Sequence, residues 1–126
     1  MPGCGKTILV VEDEISVRDR ICHSLARQGY KVLTANSGAE AQRLSHEQLE
    51  EVDLLLSDLA MSGGIGGREL GESLRRAYPR LRVIYCSGYS LESMGGWLSL
   101  ERSVSFIQKP FTPQELLNTV AECLRV

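Results

Sequence analysis

The sequence predicts a doubly wound α/β domain: a five-stranded parallel sheet with helices on both faces. Three observations predict it. Short apolar runs of strand length alternate with amphipathic stretches five times along the chain. Serial β–α units of this kind join through right-handed crossovers, which make the sheet parallel and cover both its faces. Finally, carboxylates, a hydroxyl and an amine stand where four of these runs end, and ligands of open parallel sheets gather at the carboxyl ends of the strands.

Taken in order, the first strand is the continuous apolar run "TILVV" (7–11). The helix after it places Val17, Ile21 and Leu25 on one face and stops at Gly29. "YKVLTA" (30–35) reads as the second strand, and Ser37 with Glu40 forms a capping box that opens a helix to about His46. "DLLLS" (53–57) is the third strand. A glycine-rich loop then leads to a helix from about Arg68 to Ala77, closed before Pro79. "LRVIYC" (81–86) and "VSFIQ" (104–108) are the fourth and fifth strands. The stretch between them, "SLESMGGWLSLER", is expected to be helical, although Gly95 and Gly96 each weaken it by ~1 kcal/mol relative to alanine. The last helix has Thr112 as N-cap, Pro113 at its first position and Glu115 completing a capping box, with Leu116, Leu117, Val120 and Leu124 on its buried face.

At 126 residues the chain has room for one domain with a core of its own, set at 7–126, with 1–6 read as a leader or linker remnant. Hydrophobic residues at 43% and charged residues at 24% exclude a disordered chain, and a net charge of −2 gives no general pull toward nucleic acid or membrane. No run approaches the ~18 apolar residues of a membrane span. Cys4, Cys22, Cys86 and Cys123 form no C-x-x-C pair, and the last three lie in apolar periodic stretches. They read as reduced thiols packed as small hydrophobes, which points to a cytoplasmic protein. Gly5-Lys6-Thr7 resembles the end of a phosphate-binding P-loop, but it precedes a strand instead of following one, and the motif's first glycine has no place in the chain.

The chemistry is expected at the strand ends. Glu12 and Asp13 follow the first strand, Asp58 the third, Ser87 the fourth and Lys109 the fifth. Carboxylates brought together repel one another and need a cation to stay ionised, and a small all-oxygen site suits Mg2+. A lysine facing an aspartate and a metal leaves room for a dianionic phosphoryl group, with Ser87 donating to one of its oxygens.

These residues stand in "ILVVEDE", "VDLLLSDLAMSGGIGGREL", "VIYCSGY" and "FIQKPFTPQELL". Together and in this order, the segments resemble the receiver domain of bacterial two-component response regulators over about 7–125, most like the receivers fused to hybrid sensor histidine kinases. The resemblance implies a flavodoxin-like (βα)5 sheet with strand order 2-1-3-4-5. It implies Asp58 as phosphoacceptor, taking its group from a histidine kinase or a phosphotransfer protein. It implies Mg2+ on Asp13, Asp58 and the backbone carbonyl of Ala60, with Glu12 acting largely through water. By the same resemblance Lys109 pairs with Asp58 and then with the phosphoryl group, and the Lys109–Pro110 bond is cis. Ser87 is the switch hydroxyl and Phe106 the switch aromatic. The activity implied is self-catalysed phosphoryl transfer and autodephosphorylation, with no separate enzyme function. The readout is the surface of the helix expected over 90–102, the fifth strand and the last helix, through which phosphorylation in this family often drives homodimerisation. Phe106 lacks a hydroxyl to hold it outward in water, so it is expected to favour the inward rotamer. Most family members carry proline where this chain has Ser62, which bears on the loop after Asp58.

Other readings fit less well. An aspartyl-phosphate phosphohydrolase wants a second carboxylate two residues after its nucleophile, where this chain has Ala60. An FMN carrier wants a hydroxyl- and glycine-rich phosphate loop after the first strand, where this chain has Glu12-Asp13-Glu14. A constitutive scaffold has no use for the full set of site residues. His23 and His46 read as solvent-facing helix residues, Trp97 as local packing and "GGIGG" (63–67) as a loop.

Overall fold

Side chains of a strand alternate between two faces, and here both faces are apolar. Leu9, Val11, Leu55, Val83 and Tyr85 point to one side of the sheet, and Ile8, Val10, Leu54, Leu56, Ile84 and Cys86 to the other. The computed structural model describes residues 5–59, 66–88 and 104–124. Its strands are β1 (Thr7–Val11), β2 (Lys31–Ala35), β3 (Leu54–Asp58), β4 (Arg82–Ser87) and β5 (Val104–Gln108). They form a parallel sheet in the order β2-β1-β3-β4-β5, as expected. The helices are α1 (Ile15–Arg27), α2 (Gly38–Gln42), α3 (His46–Glu51), α4 (Gly67–Ala77) and α5 (Pro113–Leu124).

The helices divide between the two faces according to their apolar stripes. Ile21 and Leu25 of α1 pack with Leu116, Val120 and Cys123 of α5 against the even-numbered face of β1, β3 and β4. Ala41 of α2, Leu49 of α3, and Leu70 and Leu74 of α4 cover the opposite face. The helix after β2 departs from expectation: the single helix ending near His46 is two short ones. Ser45 accepts from the Gln48 N–H while the Gln48 side chain accepts from the Ser45 N–H, so a second capping box starts a new helix where the first was expected to end. The strands β2, β3 and β4 also begin one residue later than expected, and β3 and β4 end one residue later, with Asp58 and Ser87 as their last residues. The helix expected over 90–102, with Trp97, lies outside the described residues.

Two helix ends carry local chemistry that the sequence announces. At the end of α1, Gly29 takes φ 91°, its N–H bonds the Ala26 carbonyl, and the Tyr30 N–H reaches back to Leu25, so orphan carbonyls are satisfied by a left-handed glycine. At the start of α5, the Glu115 N–H donates to Thr112 Oγ1 at 3.1 Å while Glu115 Oε1 accepts from the Thr112 N–H at 3.2 Å. Thr112→Ala removes one half of this box and is expected to cost about 1 kcal/mol, measured by denaturant unfolding.

Candidate functional site

The parallel sheet places the carboxyl ends of all its strands on one edge. There Glu12 follows β1, and Asp58 and Ser87 close β3 and β4. Lys109 follows β5 and is held beside β4 by its N–H, which donates to the Ser87 carbonyl at 2.7 Å. Its peptide bond to Pro110 is cis.

The carboxylates of Glu12, Asp13 and Asp58 lie within 4.8 Å of one another. Glu12 and Asp58 are buried, at 2% and 8% exposure, so their charges are poorly solvated, whereas Asp13 is exposed. Lys109 Nζ is 2.7 Å from Glu12 Oε1 and 3.3 Å from Asp58 Oδ2. One ammonium thus pairs with Asp58, as the resemblance implies, and more closely with Glu12. Backbone bonds fix the rest of the cluster. Glu12 N–H donates to the Ala35 carbonyl, Glu14 N–H to Glu12 Oε2, and Leu59 N–H to the Cys86 carbonyl.

Burial pushes the Glu12 carboxyl above its usual range, and the nearby Asp58 charge adds to this against the hydrogen bonds from Lys109 and Glu14. Burial also works to lower the pKa of the Lys109 ammonium, but the bond to Glu12 and the charge of Asp58 outweigh it, and the net shift is upward. The two shifts are compatible because Lys109 gains two anions while Glu12 shares one cation. Cys86, paired with Asp58 across the ladder, has its thiol pushed up to about 12 by burial, so it supplies no nucleophile to the site.

A pH dependence follows. Glu12 binds its proton more tightly in the fold than in the unfolded chain, so its contribution to stability falls as pH rises through the window just above 4.5. With a metal chelator present, the stability of the parent chain relative to Glu12→Gln is expected to decline across that window. Denaturant unfolding at a series of pH values measures it, and a difference that grows with pH contradicts it.

Phe106 stands apart from the acidic cluster. It lies in register with Tyr85 and is half-buried, packed against the core on the α4 side of the sheet. Ala60, Ser62 and Tyr89 lie outside the described residues. His23 is exposed, and exposed His46 bonds Tyr78 Oη at 2.7 Å and faces Glu50 at 3.3 Å, so both are surface residues remote in role from the site. Two contributors escaped sequence reasoning. Arg18 Nη1 donates to the Glu12 carbonyl at 3.0 Å from α1, a contact with no motif to signal it. Gly67, the last residue of "GGIGG", lies so close to β3 that a Cβ there would sit 2.1 Å from the Asp58 carbonyl oxygen. The signal was the glycine itself, read as loop chemistry instead of close approach.

The arrangement can hold a hard divalent cation on oxygen ligands, present a carboxylate nucleophile beside it, and neutralise an incoming anion with Lys109. Comparisons with known proteins bear on the family. The chain is 36% identical over 118 residues to the sensor kinase CckA of Brucella abortus, covering 94% of this chain and 12% of that protein. It is 28% identical to the response regulator receiver protein CpdR of the same organism, covering 94% of this chain and 97% of that one. Among solved structures, the receiver domain of the hybrid histidine kinase CckA superposes with a TM-score of 0.79 at 34% identity, covering 94% of this chain and 99% of that one. The chemotaxis protein CheY4 of Vibrio cholerae does so with a TM-score of 0.82 at 26% identity, covering 95% and 99%. The chain thus spans about an eighth of one curated relative and nearly all of another. Residues 8–121 match the response regulator receiver domain, and the fold has the same account: the chain belongs to the response regulator receiver family of two-component signalling.

Proposed function

We propose that the chain is a phosphorylation-controlled switch in which Asp58 takes a phosphoryl group from a phosphohistidine on a histidine kinase or phosphotransfer protein. The observation that carries this reading is the convergence of Glu12, Asp13 and Asp58 within 4.8 Å, with Lys109 Nζ bridging two of them. In the transfer, a carboxylate oxygen of Asp58 forms a bond to phosphorus as the P–N bond to the donor imidazole breaks, and the ring nitrogen keeps the electron pair. The donor set is all oxygen and carries more negative charge than Lys109 offsets, which fits Mg2+. Glu12, Asp13 and Asp58 would hold it with the backbone carbonyl of Ala60, Glu12 largely through water. When bound, Mg2+ supplies charge neutralisation to the carboxylates and to the phosphoryl oxygens.

The chain's own residues do the rest. Lys109 is tied by its N–H to β4 and by its ammonium to Glu12, so its positive charge stands ready beside Asp58 before any phosphoryl group arrives. The acyl phosphate then brings nearly two negative charges and strong acceptors into the site. Ser87, last in β4, donates its hydroxyl to one of them, and Phe106 turns further inward as Ser87 moves, which biases a two-state equilibrium. The surface around β5 and α5 reports the state to a partner or a second copy. No separate substrate is turned over.

Intact mass after incubation with a small acyl-phosphate donor tests the reading. One base-labile phosphoryl adduct is expected with Mg2+ and none in chelator. Absence of an adduct, together with no binding of beryllofluoride plus Mg2+, removes the basis for the switch and favours a constitutive scaffold.

A further inference from the structure

The acidic cluster depends on how the chain turns as it leaves β1, and one side chain outside the cluster bonds the backbone at that turn. The Glu12 N–H makes the last rung on β2, to Ala35 at 3.1 Å. Two residues on, the Glu14 N–H is taken by Glu12 Oε2 at 3.1 Å. The Glu12 carbonyl lies between these two bonds and accepts from Arg18 Nη1 at 3.0 Å. Arg18 is itself placed by the first turn of α1, where its N–H bonds the Glu14 carbonyl at 2.9 Å.

The Glu12 carbonyl belongs to the peptide plane that joins Glu12 to Asp13. A donor bonded to that oxygen sets the plane, and the plane sets the direction in which Asp13 leaves the chain. Glu12 is held besides by Lys109, by Glu14 and by burial at 2% exposure. Asp13 is exposed, and its carboxylate leaves the chain from the peptide plane that Arg18 bonds.

We propose that Arg18 is a positioning residue: by bonding the Glu12 carbonyl it orients the Glu12–Asp13 peptide so that both carboxylates converge with Asp58 on a divalent cation. This rests on the reading that the cluster binds Mg2+. Arg18 acts through the backbone and not as a ligand. Its charge alone would have the opposite effect, since a cation near three carboxylates competes with a metal. The sign of the effect therefore separates positioning from electrostatics.

The test is Mg2+ affinity by titration calorimetry at fixed ionic strength on the parent chain, Arg18→Ala, Arg18→Gln and Arg18→Lys, with folding of each checked by circular dichroism. Loss of an outer partner of a metal site costs about 10–100-fold in affinity. Arg18→Ala is expected to bind Mg2+ at least tenfold more weakly, and Arg18→Gln, which keeps a donor without the charge, to recover part of the loss. If Arg18→Ala does not fold, Arg18→Lys decides. Lysine keeps the charge with a shorter reach and one donor head, so weakened binding supports positioning and unchanged binding overturns it. Equal or tighter binding by folded Arg18→Ala also overturns it. If the parent chain itself binds no Mg2+, the metal reading and this proposal fall together, whereas parent binding with indifferent variants sinks the proposal alone.

Discussion

Asp58→Asn takes up no phosphoryl group from an acyl-phosphate donor, with or without Mg2+, yet folds and in chelator unfolds at least as late as the parent chain. The first half follows from chemistry: a carboxamide is not a nucleophile toward phosphorus at neutral pH. The second follows from the cluster. Three carboxylates share a space of 4.8 Å with one ammonium, and Asp58 and Glu12 are both buried. Removing one charge relieves like-charge repulsion, and Lys109 keeps its closer partner, Glu12, at 2.7 Å. The variant should also lose most of the stabilisation that Mg2+ gives the parent, which at ten times the dissociation constant is about 1.4 kcal/mol. Intact mass reads the first outcome and thermal unfolding with Mg2+ or chelator the second. An adduct of undiminished yield on Asp58→Asn would place the phosphoacceptor elsewhere.

Gly67→Ala is expected to damage both the fold and the site, although alanine is the better helix former by about 1 kcal/mol. The methyl would sit 2.1 Å from the Asp58 carbonyl oxygen and 2.9 Å from both its carbonyl carbon and Leu59 Cα. All three are backbone atoms, so no side chain can swing aside. Either α4 lifts from the sheet or the end of β3 moves, and Asp58 moves with it. Overpacking of this kind costs about 1–3 kcal/mol where neighbours can yield, and here a net loss of about 2 kcal/mol in denaturant unfolding is expected. Phosphorylation should slow at least tenfold. Gly71→Ala is the comparison: its methyl would meet the Tyr85 side chain, Oη at 2.0 Å, so α4 is disturbed four residues farther from Asp58 and against a side chain instead of backbone. A Gly67→Ala chain as stable as the parent, or one slowed no more than Gly71→Ala, would show that the close approach does not position Asp58.

The fold was legible because both faces of the sheet are buried. Runs such as Ile8–Val11 and Leu54–Leu56 are apolar at every position, and the turn glycine at 29 and the box at Thr112–Glu115 punctuate the helices with their own backbone chemistry. The break between α2 and α3 was missed although Ser45 and Gln48 spell a capping box, because the helix opened by Ser37 was extended past a second start signal. At that first start Ser37 caps the Glu40 N–H, but the Glu40 side chain accepts from the Asn36 N–H and not from Ser37. At the site, Glu12, Asp13, Asp58, Ser87 and Lys109 could be named because each follows an apolar run and topology alone brings strand ends together. What could not be read is whatever depends on distance across the sheet. Lys109 favours Glu12 over Asp58, Arg18 reaches back to a backbone carbonyl, and Gly67 touches the residue it serves. Each is a contact between elements whose spacing is set by packing, and no local pattern encodes it.

On the proposed function, the phosphoryl group is carried by Asp58. Borohydride reduces an aspartyl phosphate to homoserine, so phosphorylation with Mg2+, reduction, proteolysis and mass mapping locate the acceptor residue directly. Homoserine is expected at position 58 in the Mg2+-treated chain and none in chelator. Homoserine at Asp13, the corresponding alcohol at Glu12, or a label spread over several carboxylates would contradict it.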